Sequence, residues 1–577
     1  MVNVYFANEG ISLAANKGDK LADCIRAAGL SLETPCNGLG RCGKCRVKAW
    51  GELCPPEDLE SGFLNASGID SGIRLACLAR VSGDVRVELP AKVNHLQTIN
   101  QGLAIEAELD SSVKQVLLPA PAKSSRPYLE GLPYLSSSPE IYRRMGKLEQ
   151  TAARQIYGVV VDNELVDLEP EPGEILGLAI DIGTTGISAY LLDLSSGEIL
   201  AKKSALNPQT EFGGDVLSRI SYCLENSQGP DQLRESVLGK LNELVTDLAG
   251  SDARAERIYH AVIAGNTTML HFILGVYSGS LAKSPYRPVF LGQIDLKARE
   301  TGFKICREGR VTLLPSASGY IGADILAGVA ATGFAEKTIP SVFLDIGTNG
   351  EIVANLGGRL LAASTAAGPA LEGMNISCGC RAEAGAIDTF FLDDDYDVHF
   401  TTIGATAPLG ICGSGLIDLT AAMVKGKLVL PGGRFNPDLD PRLQARVRDK
   451  KFYLTDRIYI SQRDIRQIQL AKGAIAAGVT LLLEEAGISL DLIQEAVIAG
   501  AFGFHINPES IREIGLLPKG FKGKISFVGN SSAEGARLAL LNKGVKTQIK
   551  ELKSRLEVLE LSTDSRFQDY FVKALGF

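Results

Sequence analysis

Residues 175–186 read ILGLAIDIGTTG, and residues 342–350 read VFLDIGTNG. Each stretch is an apolar run that ends in Asp-Ile-Gly-Thr, which is typical of a buried strand followed by a tight turn. The pentapeptide AVIAG also occurs twice, at residues 261–265 and 496–500. Each half of this region thus opens with the same strand and later contains the same glycine-ending strand. The pattern indicates a duplicated α/β module whose two lobes face each other across a cleft.

The repeated turns contain the groups that a nucleotide site needs. A turn through Gly-Thr-Thr-Gly presents backbone N–H groups and hydroxyls to phosphate oxygens. Asp181 and Asp345 stand at equivalent ends of the repeated strands. Both carboxylates should face one cleft, where a Mg²⁺ ion bridging phosphates and water would neutralise their repulsion. A single turn of this kind is usually only structural, but its duplication is specific, and the GxxxxGK[ST] sequence of P-loop enzymes is absent.

From residue 174 to residue 577 the chain resembles the superfamily of sugar kinases, actin and heat-shock chaperones. In that superfamily two hairpins bracket the phosphates, and later glycine-rich turns hold adenosine. The resemblance implies a first phosphate hairpin, a second phosphate hairpin, a glycine-ending strand and an adenosine side. The first phosphate hairpin is formed by Asp181, Gly183, Thr184, Thr185 and Gly186, and the second by Asp345, Gly347, Thr348, Asn349 and Gly350. The glycine-ending strand contributes Gly265, Asn266 and Thr267. The adenosine side is formed by Gly500, Gly503, Gly529 and Ser531.

The same resemblance assigns catalytic roles to acidic residues. Asp181 and Asp345 would act in ATP hydrolysis and hold Mg²⁺. Glu351 or Asp324 would position the attacking water, and the sequence does not decide between them.

The cysteines are concentrated near the amino terminus, where six of the 11 lie in the first eighty residues. Cys36, Cys42 and Cys45 form C-x5-C-x2-C, and Cys77 follows on the far side of a loop. This spacing is one residue away from the plant-type [2Fe-2S] pattern. Soft thiolates suit iron, and two irons need four of them. A structural zinc site is the alternative, but such sites more often pair two short C-x2-C or C-x2-H units, and no second unit of this kind occurs here.

Three glycines fit a loop wrapped around a cluster. Gly38, Gly40 and Gly43 are expected to adopt unusual backbone angles and to aim N–H groups at sulfur. The segment resembles [2Fe-2S] ferredoxins, which implies a β-grasp fold with a one-electron centre near the surface. Cys24 and Cys54 lie off the pattern and are interpreted as non-ligands.

Three later cysteines, Cys378, Cys380 and Cys412, fit buried apolar positions. The alternative is that they bind a cluster shared between subunits.

The length predicts several domains, and the strand and helix patterns predict a multidomain α+β and α/β protein. The chain has 577 residues, 45% of them apolar, and a net charge of −8, so nucleic acid and membrane are poor partners. The first residues lack the pattern of an export signal, which predicts a cytoplasmic location. The most apolar long segment, residues 470–483, is interpreted as a core helix.

Three domains are predicted along the chain. Residues 1–90 form the ferredoxin-like domain, with strands at 2–6, 11–14 and 85–89 and a helix near 20–28. Residues 91–173 contain several prolines and one helix around 141–156, and form a linker and a small connecting domain. Residues 174–577 form the actin-like ATPase domain, in halves 174–340 and 341–577.

The order of a ferredoxin-like domain, a linker and an actin-like ATPase domain resembles that of the reductive activators of corrinoid proteins over nearly the whole chain. The segments ICGSGLID at residues 411–418 and DIRQIQLAK at residues 464–472 are also similar to that family. The resemblance implies ATP-dependent, one-electron reduction of a corrinoid protein from Co(II) to Co(I) through a [2Fe-2S] cluster, in support of methyl transfer in anaerobes. It further implies a corrinoid protein as electron acceptor, a low-potential donor protein and a homodimer.

Two other functions remain open at this point. One is an actin-like activator of a 2-hydroxyacyl-CoA-dehydratase-type enzyme, although such activators lack a ferredoxin head. The other is a binding module that senses nucleotide and redox state without net catalysis. The sequence does not identify the corrinoid protein, the methyl substrate, the donor or the cluster potential.

Overall fold

The structure is a computed structural model that describes residues 1–30, 32, 34, 38, 40, 43, 45–61, 63–64, 66–90, 105–118, 136–148, 156–500 and 506–577. These residues form two compact units. One unit contains the described residues among 1–95, 206–237 and 271–287. The other contains those among 96–205, 238–270 and 288–577.

The amino-terminal domain is a five-stranded sheet covered by helix α1. Its elements are β1 (Val2–Phe6), β2 (Ile11–Ala15), α1 (Leu21–Ala27), β3 (Arg46–Leu53), α2 (Asp58–Ser61), α3 (Ala66–Asp70), β4 (Ile73–Leu75) and β5 (Val81–Glu88). The strand order is β2-β1-β5-β3-β4, and β1 pairs with β5 in parallel. Alternate residues of β1 point into the core, as a half-buried strand requires. This is the β-grasp arrangement that the ferredoxin resemblance implies.

A buried ion pair fixes the segment that leads to Cys77. Arg74 donates through Nε and Nη2 to the two carboxylate oxygens of Glu60, each at 2.9 Å. The backbone N–H of Leu75 donates to the same carboxylate at 2.7 Å. Removing one partner of such a pair leaves an uncompensated buried charge, which costs about 3–5 kcal/mol. The pair therefore holds α2 against β4, beside the cysteine loop.

The connecting region contains a small four-stranded sheet with order β6-β8-β9-β7. Its elements are β6 (Val113–Leu118), β7 (Ser136–Ser137), α4 (Pro139–Leu148), β8 (Ile156–Val161) and β9 (Glu164–Glu169). The predicted helix at 141–156 is wrong at its carboxyl end. Residues 149–155 lie outside the described residues, and Ile156 begins β8, whose run of valines pairs with β6 and β9.

The remaining elements form the duplicated module. The first half comprises β10 (Leu176–Ile182), β11 (Gly186–Asp193), β12 (Ile199–Leu206), α5 (Val216–Glu225), α6 (Gly229–Ala249), α7 (Asp252–Ala255), β13 (Ile258–Gly265), α8 (Thr267–Ile273), β14 (Ile294–Lys297), α9 (Ala298–Thr301), β15 (Arg310–Leu313) and α10 (Ala323–Ala331). The second half comprises β16 (Ser341–Ile346), β17 (Gly350–Leu356), β18 (Arg359–Thr365), β19 (Ala386–Leu392), β20 (Val398–Thr402), β21 (Gly410–Ile411), α11 (Gly413–Lys425), α12 (Pro441–Gln444), β22 (Val447–Arg448), β23 (Lys451–Tyr453), β24 (Tyr459–Ser461), α13 (Gln462–Glu485), β25 (Glu495–Ala499), α14 (Pro508–Ile514), β26 (Lys524–Gly529), α15 (Ser531–Leu541), α16 (Lys543–Arg555), β27 (Leu556–Leu559) and α17 (Ser565–Ala574).

The two main sheets confirm the duplication. Their strand orders are β12-β11-β10-β13-β15-β14 and β26-β25-β16-β17-β18-β27. In each, the Asp-bearing strand pairs antiparallel with the next strand and parallel with the strand ending in the AVIAG pentapeptide. Because parallel strands present their carboxyl ends at one edge of a sheet, each half places its Asp and its glycine side by side.

Helices α10 and α15, which follow equivalent strands, pack directly against each other. A Cβ at Gly535 would lie 2.2 Å from the carbonyl oxygen of Ala327, so only glycine allows this close approach. The crossing brings together the beginnings of both helices, where Asp324 and Ser532 lie.

Residues 470–483 fall within α13, which packs against β17 and β18, as the core-helix prediction requires. In the part of the chain that the structure describes, no helix combines the length and the apolarity needed to cross a membrane.

Candidate functional site

The first repeated turn connects β10 to β11. The backbone N–H of Gly183 donates to the carbonyl of Gly186 at 2.8 Å, which closes the turn. Asn266 donates from Nδ2 to the hydroxyl of Thr184 at 3.0 Å. A Cβ at Gly265 would lie 2.7 Å from the carbonyl oxygen of Ile182, so this position needs glycine. The structure thus brings together the first hairpin and the glycine-ending strand.

The second turn repeats this arrangement. The backbone N–H of Gly347 donates to the carbonyl of Asn349 at 2.9 Å. Gly500 has a φ of +121°, and a Cβ there would lie 2.4 Å from the carbonyl oxygen of Ile346. Its N–H donates to the carbonyl of Gly529 at 3.1 Å. Gly503, which was predicted for the adenosine side together with Gly500, lies outside the described residues.

Asp181 is held by the start of α15. Its two carboxylate oxygens accept hydrogen bonds from Asn530 Nδ2 at 3.0 Å and from the Ser532 hydroxyl at 2.7 Å. Asn530 also caps α15, accepting from the N–H of Ala533 at 2.9 Å. Burial raises the pKa of Asp181, and the two hydrogen bonds oppose that rise.

Three further acids lie around Asp345. Burial and the charges of Asp181 and Glu372 raise the pKa of Asp345 to about 7. The pKa of Asp324 is raised by burial and by Asp345 and Asp181. That of Glu351 is raised well above its usual value by burial and by Asp324 and Asp345. Like charges in a poorly hydrated place favour protonation or an arriving cation.

Glu372 joins the two hairpins and was not anticipated from the sequence. The Thr185 hydroxyl donates to its Oε2 at 3.0 Å. The Thr348 hydroxyl lies 3.5 Å from each of its carboxylate oxygens. The hydroxyls that were expected to bind phosphate therefore converge at one point.

These groups suit a magnesium nucleotide. Among the described residues, no group of three or more His, Cys, Asp or Glu side chains is placed to hold a metal ion. Mg²⁺ usually takes only one or two carboxylates and completes its shell with water and phosphate, so an incomplete protein shell fits that ion. Ser531 is 2% exposed, and its hydroxyl has no hydrogen-bond partner within the described residues. A buried hydroxyl of this kind is available to a ligand.

The cysteine loop is described in part. Cys36 and Cys42 lie outside the described residues. Cys45 and Cys77 are each 1% exposed, and the carbonyl of Cys45 accepts from the N–H of Ala76 at 2.9 Å, which places the two cysteine segments side by side.

The glycines of this loop have the backbone angles predicted from the sequence. Gly38, Gly40 and Gly43 have φ values of +72°, +68° and +65°. Outside the loop pattern, burial and two aspartates raise the pKa of Cys24 to about 11, which keeps its thiol protonated. The positive φ angles fit a loop that wraps around a cluster.

Comparison with known proteins extends these observations over the whole chain. Family models match residues 4–82 as a 2Fe-2S iron-sulfur cluster binding domain, residues 176–337 as the RACo middle region and residues 340–577 as the C-terminal domain of RACo, the ASKHA domain. The corrinoid activation enzyme RamQ of Eubacterium limosum is 31% identical, covering 96% of this chain and 95% of the relative. The chain belongs to the family of reductive activators of corrinoid proteins.

Two further relatives of this activator agree. The [Co(II) methylated amine-specific corrinoid protein] reductase of Methanosarcina barkeri is 27% identical over 70% of this chain and 77% of the relative. The solved structure of a reductive activator for corrinoid, iron-sulfur protein matches with a TM-score of 0.77 and 33% identity, covering 100% of this chain and 98% of that chain. The resemblance inferred from the sequence is confirmed, as is the fold class.

The activator's later cysteines have different surroundings. Cys412 is 1% exposed, and its thiol donates to the carbonyl of Ile387 at 3.2 Å. Cys378 and Cys380 are half-buried. These three thiols are not grouped as a metal site within the described residues, and the alternative that they bind a cluster shared between subunits stays a prediction.

Sequence reasoning missed Glu372 and Ser532 in this activator. Ser532 stands in the quoted run that begins at Gly529, and its place beside an asparagine cap was the signal that could have identified it. Glu372 lies in GPALEG at residues 368–373, which has no repeated counterpart and offered no such signal.

Proposed function

We propose that this chain is an enzyme that couples ATP hydrolysis to one-electron reduction of a corrinoid protein from Co(II) to Co(I). The observation that carries this conclusion is the convergence of acids and hydroxyls from both Asp-Ile-Gly-Thr hairpins, in a chain whose first domain has a [2Fe-2S] fold. Cys36, Cys42, Cys45 and Cys77 would hold the cluster. A [2Fe-2S] cluster, when bound, accepts and releases one electron at a time.

The chain's own residues perform definite tasks at the nucleotide. The hairpin N–H groups and the hydroxyls of Thr184, Thr185 and Thr348 would orient the phosphates. Asp345 and Asp181 would attract and hold the metal that accompanies them, because phosphoryl transfer depends mostly on positioning and charge neutralisation. Glu351 or Asp324 would accept a hydrogen bond from the attacking water.

The adenosine side would be formed by the late turns. Gly529 and Ser531 lie at the beginning of α15, where backbone can approach a nucleotide closely, and Gly500 and Gly503 are proposed for the same side.

An energetic need explains why ATP is required. A plant-type cluster has a potential of about −400 mV, and the Co(II)/Co(I) couple of a corrinoid is usually lower. A deficit of about 100 mV for one electron is roughly 2.3 kcal/mol, or a factor of about 50. A ligand supplies such energy only as differential affinity for two states. Nucleotide-dependent movement of the two halves would be sufficient if it favoured a complex in which the corrinoid is easier to reduce or the Co(I) product is trapped.

The remaining assignments are part of the same proposal. The chain would act as a homodimer, accept electrons from a low-potential donor protein and serve methyl transfer. Its domains would be residues 1–90, 91–173 and 174–577, with the last divided near residue 340.

The decisive experiment mixes the reduced, anaerobically reconstituted protein with a Co(II) corrinoid protein, with and without Mg-ATP. We expect the Co(I) absorption band to appear only with Mg-ATP, and ATP turnover to be stimulated by the Co(II) partner. Equal reduction without nucleotide, or ATP turnover unaffected by the partner, would contradict the coupling.

Two cysteine variants test the cluster domain separately from the ATPase domain. Cys77→Ser should remove the reducible paramagnetic centre and Co(I) formation, because one of four thiolates is lost, while ATP hydrolysis without partner continues. The matched control is Cys54→Ser at a half-buried cysteine outside the pattern, which should keep both activities. Zinc bound in place of iron in the reconstituted protein would refute the redox assignment.

A further inference from the structure

Glu372 is fixed next to the second hairpin by its own backbone. It ends a short 3-10 turn, Pro369–Glu372, that follows β18. The N–H of Gly368 donates to the carbonyl of Thr348 at 2.8 Å, and Gly373 leaves the turn with a φ of +77°. A Cβ at Gly347 would lie 3.1 Å from Glu372 Oε1. The turn thus places the Glu372 carboxylate next to the second hairpin.

Its carboxylate contacts one hydroxyl from each half of the duplicated module. Thr185, from the first half, donates at 3.0 Å, whereas Thr348, from the second half, lies 3.5 Å away. The two hydroxyl oxygens are themselves 3.5 Å apart. We call this set of contacts the Glu372 bridge.

A carboxylate and a phosphate group compete for such donors. Both are anions that accept from hydroxyls, and two anions within hydrogen-bonding reach of the same hydroxyls repel each other strongly. The hydroxyls of Thr185 and Thr348 can serve a nucleotide phosphate fully only when Glu372 has withdrawn.

We propose that Glu372 takes the place of a nucleotide phosphate in the nucleotide-free protein, so that binding of the magnesium nucleotide must break the Glu372 bridge. This conclusion rests on the proposed nucleotide site and adds a positioning residue to it. The bridge ties the halves together before nucleotide arrives, and its breakage gives nucleotide a means of moving the turn that carries Glu372.

That movement has a defined path into the second half. A Cβ at Gly373 would lie 2.2 Å from the carbonyl oxygen of Cys380, so the turn is in close contact with the segment that contains this cysteine. The carbonyl of Ile411 in turn accepts from the N–H of Cys380 at 3.0 Å. The turn that carries Glu372 is therefore connected through Cys380 to β21, which directly precedes α11.

A competing group lowers apparent affinity, because only the fraction of molecules with the bridge broken can bind. Removing the charge of Glu372 should therefore tighten nucleotide binding. A ligand to the metal, or a purely structural residue, would give the opposite sign or no change.

The test measures equilibrium binding of a non-hydrolysable ATP analogue with Mg²⁺ to the full-length protein. We expect Glu372→Gln to bind about 5- to 20-fold more tightly than the unmodified chain, a range typical of coupling between sites. The matched control is Glu513→Gln, at an exposed glutamate of α14, which should leave affinity unchanged. Thermal melting of each variant checks its folding.

A second pair of variants tests the threonine side. In the unmodified chain, Thr185→Val removes a donor to the phosphate but also releases the Glu372 bridge, and these two effects on affinity oppose each other. In the Glu372→Gln background only the loss of the donor remains, so Thr185→Val should weaken binding more there. Thr185→Ser keeps the hydroxyl and should restore affinity. If Glu372→Gln does not fold, Glu372→Asp provides the measurement, since its shorter side chain cannot reach Thr185 and should also tighten binding.

The outcomes separate this inference from the proposed function. Weaker or unchanged binding by both Glu372 variants, with binding by the unmodified chain, would refute the Glu372 bridge and leave the nucleotide site intact. No binding by any form of the protein would refute the nucleotide site itself. Tighter binding with the predicted non-additivity would support both.

Discussion

Asp181 and Asp345 end equivalent strands of the duplicated module, yet their carboxylates have different surroundings. Asp181 accepts hydrogen bonds from Asn530 and Ser532, which belong to the other half. Burial, and after it the charges of the acidic residues Asp181 and Glu372, raise the pKa of Asp345 to about 7. One carboxylate is thus held in place by donors, and the other is surrounded by like charge.

This difference shows that the duplication produced two equivalent aspartates, Asp181 and Asp345, without giving them equal surroundings. A carboxylate whose oxygens are already occupied is suited to positioning α15 and accepting hydrogen bonds. A carboxylate among other acids gains most from an arriving cation, because the cation removes the repulsion. We therefore expect Asp345 to contribute more to metal binding than Asp181.

The largest expected effect tests this inequality directly. Asp345→Asn should lower ATP turnover by at least about 100-fold, in the range seen when one preorganised charged or donor group is removed. Asp181→Asn should lower it less and should weaken Mg²⁺ binding less. Turnover measured against Mg²⁺ concentration distinguishes the two, and equal losses in both variants would show that the roles are symmetric.

A smaller effect is expected when the donors around Asp181 are removed. Ser532→Ala leaves one buried carboxylate oxygen without its donor, which costs about 1–3 kcal/mol. Turnover should fall by about tenfold, because Asp181 and the start of α15 lose their fixed relation. Ser565→Ala, at the start of α17, is the matched control. A Ser532→Ala protein with full turnover would show that the hydrogen bond is dispensable.

The smallest effect concerns stability and pH. The pKa of Asp345 rises from 3.8 to about 7 on folding, so between these values the folded protein binds more protons than the unfolded chain. The stabilisation from this protonation is complete below the unfolded pKa and is lost as pH rises through about 7. The melting temperature of the nucleotide-free protein should therefore fall, on the order of 2 °C, between about pH 6 and pH 8.

Variants of Asp345 and Asp181 test which of the two carboxylates causes this pH dependence. Asp345→Asn should make the fall in melting temperature between pH 6 and pH 8 smaller, because only Asp324 and Glu351 then contribute to it, and should melt higher than the unmodified chain at pH 8. Asp181→Asn should change the dependence less, because Asn530 and Ser532 favour the charged form of Asp181. Circular dichroism melts at several pH values without nucleotide give the measurement, and an unchanged slope in Asp345→Asn would assign the dependence to other groups.

The sequence predicted the local parts of the site well. The hairpins at Asp181 and Asp345 are short segments whose glycines and threonines serve the turn itself. The same holds for the positive φ angles of Gly38, Gly40 and Gly43. Each of these predictions depended on residues within a few positions of one another, where propensity and sterics act.

Ser532 and Glu372 could not be found in this way. Ser532 reaches Asp181 across 351 positions in the chain, and Glu372 meets Thr185 across 187. Ile156, predicted to end a helix, instead begins β8, whose pairing with β6 and β9 involves residues distant in the chain.

What the amino-acid order determined by itself was the set of modules: a four-cysteine loop, a connecting region and two copies of one strand-and-turn unit. Periodicity and turn chemistry act over short distances and are written directly in the order of residues. The folded protein alone decided which carboxylate is held by donors, which is left among like charges, and that Glu372 lies where the two hairpins meet. These properties depend on burial and on charges that are far apart in the chain and are brought together only by packing of the two halves.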